Sequence, residues 1–289
     1  MKKYISLIFF MLVLVFSVFA GGCTSESESE LPVQTISQTP MSEISIISYE
    51  KTPVSYLDLS YNVSLAYREF GKPDSEPLLM IIGFGGTMDS WNTTFISLLS
   101  ENYHVYIYDH RDMGESSKTL SNFTIYDLSD DAANLITGLG YDSMNTYSVS
   151  MGSTVAQQLL ISHPEKVRKA VLSSATYSVL IPKTEVLHGL IEDALTNPDS
   201  SEGVVKEAVA NLGYPGCYDN LSSIKNDIML ITGTEDIITP QSVAVLIADR
   251  INGSWLVRFK GIPHMGSSYA PYEYAEITKI FLEMNETPT

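Results

Sequence analysis

The chain has 289 residues, 44% hydrophobic and 18% charged, which is enough apolar side chain to close a good-sized core in one globular domain. Its formal net charge of -17 repels phosphate backbones and anionic headgroups, which argues against nucleic acid or an anionic lipid surface as a direct partner. The acidity itself reads as a solubility device.

The chain starts with Met1-Lys2-Lys3, continues through an almost unbroken apolar run from Ile5 to Ala20, and closes it with Ala20-Gly21-Gly22-Cys23. A positive start, an apolar middle and a small-residue end are the layout of a secretory signal, expected over residues 1–22. The ending resembles the lipobox of prokaryotic lipoproteins, a resemblance that implies lipid attachment at Cys23. The alternative is an uncleaved anchor helix. Either reading puts the body outside the cytoplasm, on the extracytoplasmic face of the cell membrane or secreted. Residues 23–43, rich in Ser, Glu, Thr, Gln and Pro, cannot repay their ordering entropy and are expected to form a flexible tether. With Cys23 modified, Cys217 has no intrachain disulfide partner. Asn62, Asn92, Asn122, Asn220, Asn252 and Asn285 each begin an Asn-x-Ser/Thr sequon, in keeping with export.

The body, residues 44–289, turns to strand patterning. Val54 to Leu59 alternates, and Val63 to Phe70 is rich in β-branched and aromatic residues, so these two are predicted to form an antiparallel edge. Leu78 to Ile82 is a continuous apolar run suited to a strand buried on both faces, and it ends in Gly83-Phe84-Gly85-Gly86. From there strands and helices alternate. Strands are predicted at Tyr103–Tyr108, Met144–Val149, Val167–Leu172, Ile228–Thr232 and Trp255–Phe259. Helices are predicted near Ser90–Leu99, Ile125–Leu139, Thr154–Ser162, after Pro240, and near Tyr272–Met284. This alternation implies an α/β fold with a mostly parallel central sheet and helices on both faces. Between Tyr177 and Asn226 it is interrupted by a short insertion with two amphipathic helices, expected to cover one end of the sheet.

With those elements placed, residues Val54 to Met284 resemble the α/β-hydrolase superfamily, on motifs that follow one another in the family's order. Gly83-Phe84-Gly85-Gly86 is similar to the oxyanion loop His-Gly-x-Gly, with Ile82 where the histidine stands. Asp109-His110-Arg111-Asp112-Met113-Gly114-Glu115-Ser116 is similar to Asp-x-Arg-Gly-x-Gly-x-Ser, with Asp112 in place of a glycine. Ser148 to Gly152 resembles the nucleophile elbow Gly-x-Ser-x-Gly, with Ser148 in place of the first glycine. Gly233 to Pro240 and Gly261-Ile262-Pro263-His264-Met265 resemble the acid and histidine loops.

The resemblance implies Ser150 as nucleophile, His264 as base and Asp236 as the acid that orients it, with the backbone N–H groups of Phe84 and Met151 as oxyanion donors. Such a site calls for no cofactor and no metal. Its substrate would be a small-molecule ester or another acyl compound. Glu235 remains a rival acid and His188 a rival base. Asp109 and Arg111 read as a turn-fixing pair, and Ser148 and Ser153 as packing or hydrogen-bonding residues. The apolar helices of the insertion are expected to line the acyl side of the pocket. Two other functions stay open: a serine aminopeptidase, and a non-catalytic surface lipoprotein that uses the fold as a binding module. One backbone expectation follows as well. Ser148 brings a Cβ to a corner where the family has none, so Ser150 is expected in a strained conformation.

Overall fold

The computed structural model describes residues 45–59 and 62–285. The signal segment, Cys23 and the tether lie outside the described residues.

Among the described residues, eight strands form one sheet: β1 (Ser55–Asp58), β2 (Ser64–Phe70), β3 (Glu76–Ile81), β4 (Tyr103–Tyr108), β5 (Met144–Val149), β6 (Val167–Ser173), β7 (Asp227–Gly233) and β8 (Trp255–Phe259). Their spatial order is β1-β2-β4-β3-β5-β6-β7-β8. The first two form the antiparallel edge, β2 joins β4 antiparallel, and every remaining pairing is parallel. Alternate residues of the central strands feed two cores. Leu79 and Ile81 pack with one, Leu78, Met80 and Ile82 with the other, and all five are essentially inaccessible to water. Each such side chain contributes roughly 1.5–3 kcal/mol on burial.

Helices α2 (Ile125–Gly138), α3 (Met151–Ser162) and α6 (Gln241–Ala248) close the first core, while α1 (Thr93–Ser100) and α7 (Pro271–Glu283) close the second. Local chemistry fixes their ends. Asn92 accepts the Phe95 N–H at 3.0 Å to start α1, so this sequon asparagine has a capping role. Thr124 and Asp127 form a capping box at α2. At the far end of α7, the buried Lys169 ammonium donates to the carbonyls of Phe281 and Leu282. Helix α3 starts at Met151, three residues before the sequence pattern suggests, because its first turn is wound directly off Ser150.

Two further helices, α4 (Glu185–Thr196) and α5 (Glu202–Leu212), lie between β6 and β7 and share a small apolar cluster of their own, around Leu187, Ile191 and Ala208. No helix among the described residues is long and apolar enough to cross a membrane.

Candidate active site

The strand order decides which loops meet. β3 and β5 are hydrogen-bonded neighbours, so the Gly83 loop that leaves β3 and the turn that leaves β5 arrive side by side at the carboxyl edge. A Cβ built on Gly83 would lie 3.0 Å from the Ser150 Cβ and 3.2 Å from the Val149 carbonyl, which is why the loop carries glycine there. β7 and β8 are also neighbours, and they deliver Asp236 and His264.

Ser150 has φ 55° and ψ -123°, a conformation L-residues rarely adopt, and the residue is 5% exposed. The turn is held by hydrogen bonds on both sides: the Ser150 N–H donates to the Ser173 carbonyl at 3.0 Å, and the Ser150 carbonyl accepts from Ser153 at 2.9 Å. Other left-handed non-glycine residues stand on loops of the same edge: Asp112, Ser174 and Met265, the last next to His264.

The structure brings Ser150, His264 and Asp236 together. His264 Nε2 is 3.0 Å from Ser150 Oγ, and His264 Nδ1 is 2.9 and 3.0 Å from the two Asp236 oxygens. Asp236 also accepts backbone N–H groups from Ile238 at 3.0 Å and Thr239 at 2.8 Å. Burial pushes its carboxyl pKa up, but the His264 hydrogen bond and charge, with the Thr239 donors, outweigh that and hold it below the usual carboxylate range. An ionised Asp236 facing Nδ1 keeps the Nδ1–H tautomer, which leaves Nε2 as an acceptor for the serine proton.

The rival residues lie elsewhere. Glu235 is exposed while Asp236 is buried. His188, on α4, faces the Val179 carbonyl and Glu192. Asp109 and Arg111 do not pair with each other. Asp109 accepts the N–H groups of Met88 and Glu115, whereas Arg111 makes a bidentate pair with Asp131 of α2 at 2.6 Å. Ser148 and Ser153 hydrogen-bond within the elbow.

A cavity of about 290 Å³ opens over Ser150 and His264. Phe84, Leu187, Leu190, Ile238 and Met265 give it an apolar wall. Of the two insertion helices only α4 contributes to this lining. The expectation that both would do so is corrected: α5 turns its inner face onto the loops instead. Phe84 sits in the lining, and Met151 follows Ser150 at the first position of α3. Helix N-terminal and loop N–H groups at such positions suit a developing negative charge.

Glu207 of α5 is the residue here that motif reading missed. Its fully buried carboxyl accepts the Gly85 N–H at 2.7 Å and the His110 Nδ1–H at 3.1 Å. The available signal was a Lys206-Glu207 pair set between apolar residues in the middle of the helix. Among the described residues, no cluster of His, Cys, Asp and Glu could hold a metal ion.

Comparison with known proteins agrees with this architecture. A family profile described as the alpha/beta hydrolase fold matches residues 76–210, which include the Gly83 loop and Ser150. The probable lysophospholipase L2 of Haemophilus influenzae is 30% identical over 146 residues, covering 46% of this chain and 46% of that protein. The match thus spans about half of that relative. The (E)-2-((N-methylformamido)methylene)succinate hydrolase of Acinetobacter baylyi is 24% identical over 258 residues, covering 78% of this chain and 97% of the relative. A hydrolase from Pseudomonas aeruginosa has a TM-score of 0.69 at 22% identity, covering 80% of this chain and 98% of the other.

Proposed function

Because the chain has the α/β-hydrolase fold, we propose that it is an extracytoplasmic serine hydrolase that cleaves small carboxylic esters through an acyl-enzyme. The observation that carries this reading is the continuous relay from Ser150 through His264 to Asp236 at the mouth of an apolar cavity.

In the proposed mechanism Ser150 Oγ attacks the ester carbonyl carbon as its proton passes to His264 Nε2. Asp236 keeps the ring oriented and offsets the positive charge that it gains. The carbonyl oxygen becomes an oxyanion beside Phe84 and Met151, whose N–H groups would stabilise it. Collapse of the tetrahedral intermediate releases the alcohol, which takes the proton held on Nε2. Water, deprotonated by the same nitrogen, then attacks the acyl-enzyme and frees the acid and Ser150.

The cavity wall favours an acyl chain over a peptide. None of the described residues lining it is a carboxylate that could grip a substrate α-ammonium, as an aminopeptidase requires. The lysophospholipase name of one relative also points to an acyl ester. Export and anchoring rest on the apolar run and Cys23 in the sequence.

The test is an alkyl fluorophosphonate probe on the parent and on Ser150→Ala, with short-chain nitrophenyl esters as substrates. Labelling and turnover that both vanish in Ser150→Ala are expected. An unlabelled parent would replace the enzyme with the binding-module reading.

A further inference from the structure

We propose that Glu207, a residue of the insertion, is a positioning residue for the oxyanion loop, and that helix α5 is the brace that holds the loop in its active shape. The proposal rests on the serine-hydrolase reading above.

The loop needs such a brace. Gly83-Phe84-Gly85-Gly86 has little side chain of its own to anchor it, and Gly85 stands at φ +71°. The residue before it, Ile82, is 1% exposed and packed in the core, so its side chain donates and accepts nothing. The loop's own backbone supplies one turn bond, from the Gly86 N–H to the Gly83 carbonyl at 3.1 Å. The Gly85 N–H, next to the Phe84 donor, is directed to Glu207 Oε2 at 2.7 Å across 122 residues of sequence. That is a short, charge-assisted contact of the strong kind.

Glu207 is itself fixed. Its side chain and that of His110 are both 0% exposed, and Oε1 faces His110 Nδ1 at 3.1 Å. Taking a carboxylate out of water costs several kcal/mol unless donors replace the water, and Gly85 and His110 are the two donors. The carboxyl therefore cannot leave the loop without losing half of its compensation.

Neighbours on α5 press the same way. Gly203, four residues before Glu207, lies so near the Asp112 carbonyl that a Cβ would come within 2.3 Å of it. Lys206 Nζ pairs with Asp112 Oδ1 at 2.9 Å. Asn211, four residues after Glu207, donates to the Glu207 carbonyl at 2.8 Å and places its Nδ2 2.9 Å from Met151 Sδ. Residues 203, 207 and 211 share one helix face, so α5 touches the neighbourhood of both proposed oxyanion donors.

A misplacement of about 1 Å in such a donor costs on the order of a hundredfold in rate. Expected for Glu207→Ala is therefore a fall in kcat of about 10²-fold with KM within about twofold, and a matching loss of affinity for an alkylboronic acid that mimics the tetrahedral intermediate. Glu207→Gln, whose carbonyl can still accept from Gly85 and whose amide can donate to His110 Nδ1 once the ring carries its proton on Nε2, should restore kcat to within about threefold. Glu207→Asp keeps the charge but is too short to reach both partners, so it should behave like alanine; it also serves if the alanine variant does not fold. Amide exchange at Gly85, followed by NMR, should quicken in Ala and Asp and not in Gln. That readout needs no turnover, so it holds even if the parent cleaves no ester. Folded Ala or Asp variants with parental kcat, boronate affinity and Gly85 exchange would overturn the proposal, as would a Gln variant as impaired as Ala.

Discussion

Ser148 Oγ donates to the Val171 carbonyl at 3.1 Å, from β5 onto the neighbouring strand β6, and lies 3.2 Å from Ser153 Oγ. Ser153 in turn donates to the Ser173 carbonyl at 2.9 Å. The hydroxyl thus gives a Cβ-bearing residue a satisfied place at a corner where the related motif has glycine, and the strain falls on Ser150 at φ 55°. Ser148→Gly should leave kcat within about threefold and cost about 1 kcal/mol, the worth of one buried hydrogen bond. Ser148→Leu, which overfills the corner, should cost about 3 kcal/mol or more and abolish active-site labelling. Thermal melts and fluorophosphonate titration check both, and a Leu variant with parental labelling would show that the elbow has more room than the structure gives it.

Asp236→Asn keeps the shape of the acid loop but can present its amide to Nδ1 and favour the wrong imidazole tautomer. A fall in kcat of about 10⁴-fold with little change in KM is expected, while Glu235→Gln, at an exposed position, should stay within about threefold. Initial rates on one nitrophenyl ester decide it. A comparable loss in both variants would remove Asp236 from its role.

The fold was readable because the strands are apolar enough to be buried on both faces: Leu78 to Ile82 and Tyr103 to Tyr108 announce themselves locally. Ser150, Asp236 and His264 were reachable because each closes a short local pattern after a strand. Glu207 was not, since its partners lie 97 and 122 residues away and nothing next to it in sequence requires them. Arg111 was misread for the same reason: its partner Asp131 sits on α2, whereas Asp109 stands only two residues away in sequence. The order β4-β3-β5, which sets Gly83 against Ser150, is likewise a long-range fact.

The apolar wall predicts acyl preference. Leu187 is 5% exposed and lines the cavity from α4, so Leu187→Ala should lengthen the pocket. Each added methylene that finds cover is worth about 0.8 kcal/mol, or roughly fourfold in kcat/KM. The optimum should move to esters longer by one or two carbons, and Leu190→Trp, from the same wall, should move it to shorter ones. A nitrophenyl ester series from acetate to decanoate reads this out; an unchanged optimum in both would place the acyl chain elsewhere.

The proposed lipid attachment at Cys23 would bear on location alone. In a bacterial or archaeal host that processes lipoproteins, the parent should sediment with membranes, and Cys23→Ala should appear in the soluble or secreted fraction with the same kcat. Retention of Cys23→Ala in the membrane fraction would favour the uncleaved anchor helix.

Acid stability should report the pair that braces α5. Burial pushes the Asp112 carboxyl up, but hydrogen bonds from Thr119 and Lys206 outweigh this and hold its pKa below the ordinary value. A carboxyl depressed in the folded state adds stability that is complete above its unfolded pKa of about 3.9, and that stability is lost as the pH falls through the folded value. Lys206→Met leaves Asp112 buried without its cation, which should cost about 3–5 kcal/mol near neutral pH. As the pH falls, the deserted carboxyl protonates before the paired one in the parent and no longer needs a partner, so the gap should narrow toward acid and close once the pH passes below the parent's folded value. Urea denaturation midpoints between pH 7 and pH 3 measure the gap. A gap that stays constant or widens toward acid would show that Lys206 acts through packing of its stem and not through Asp112.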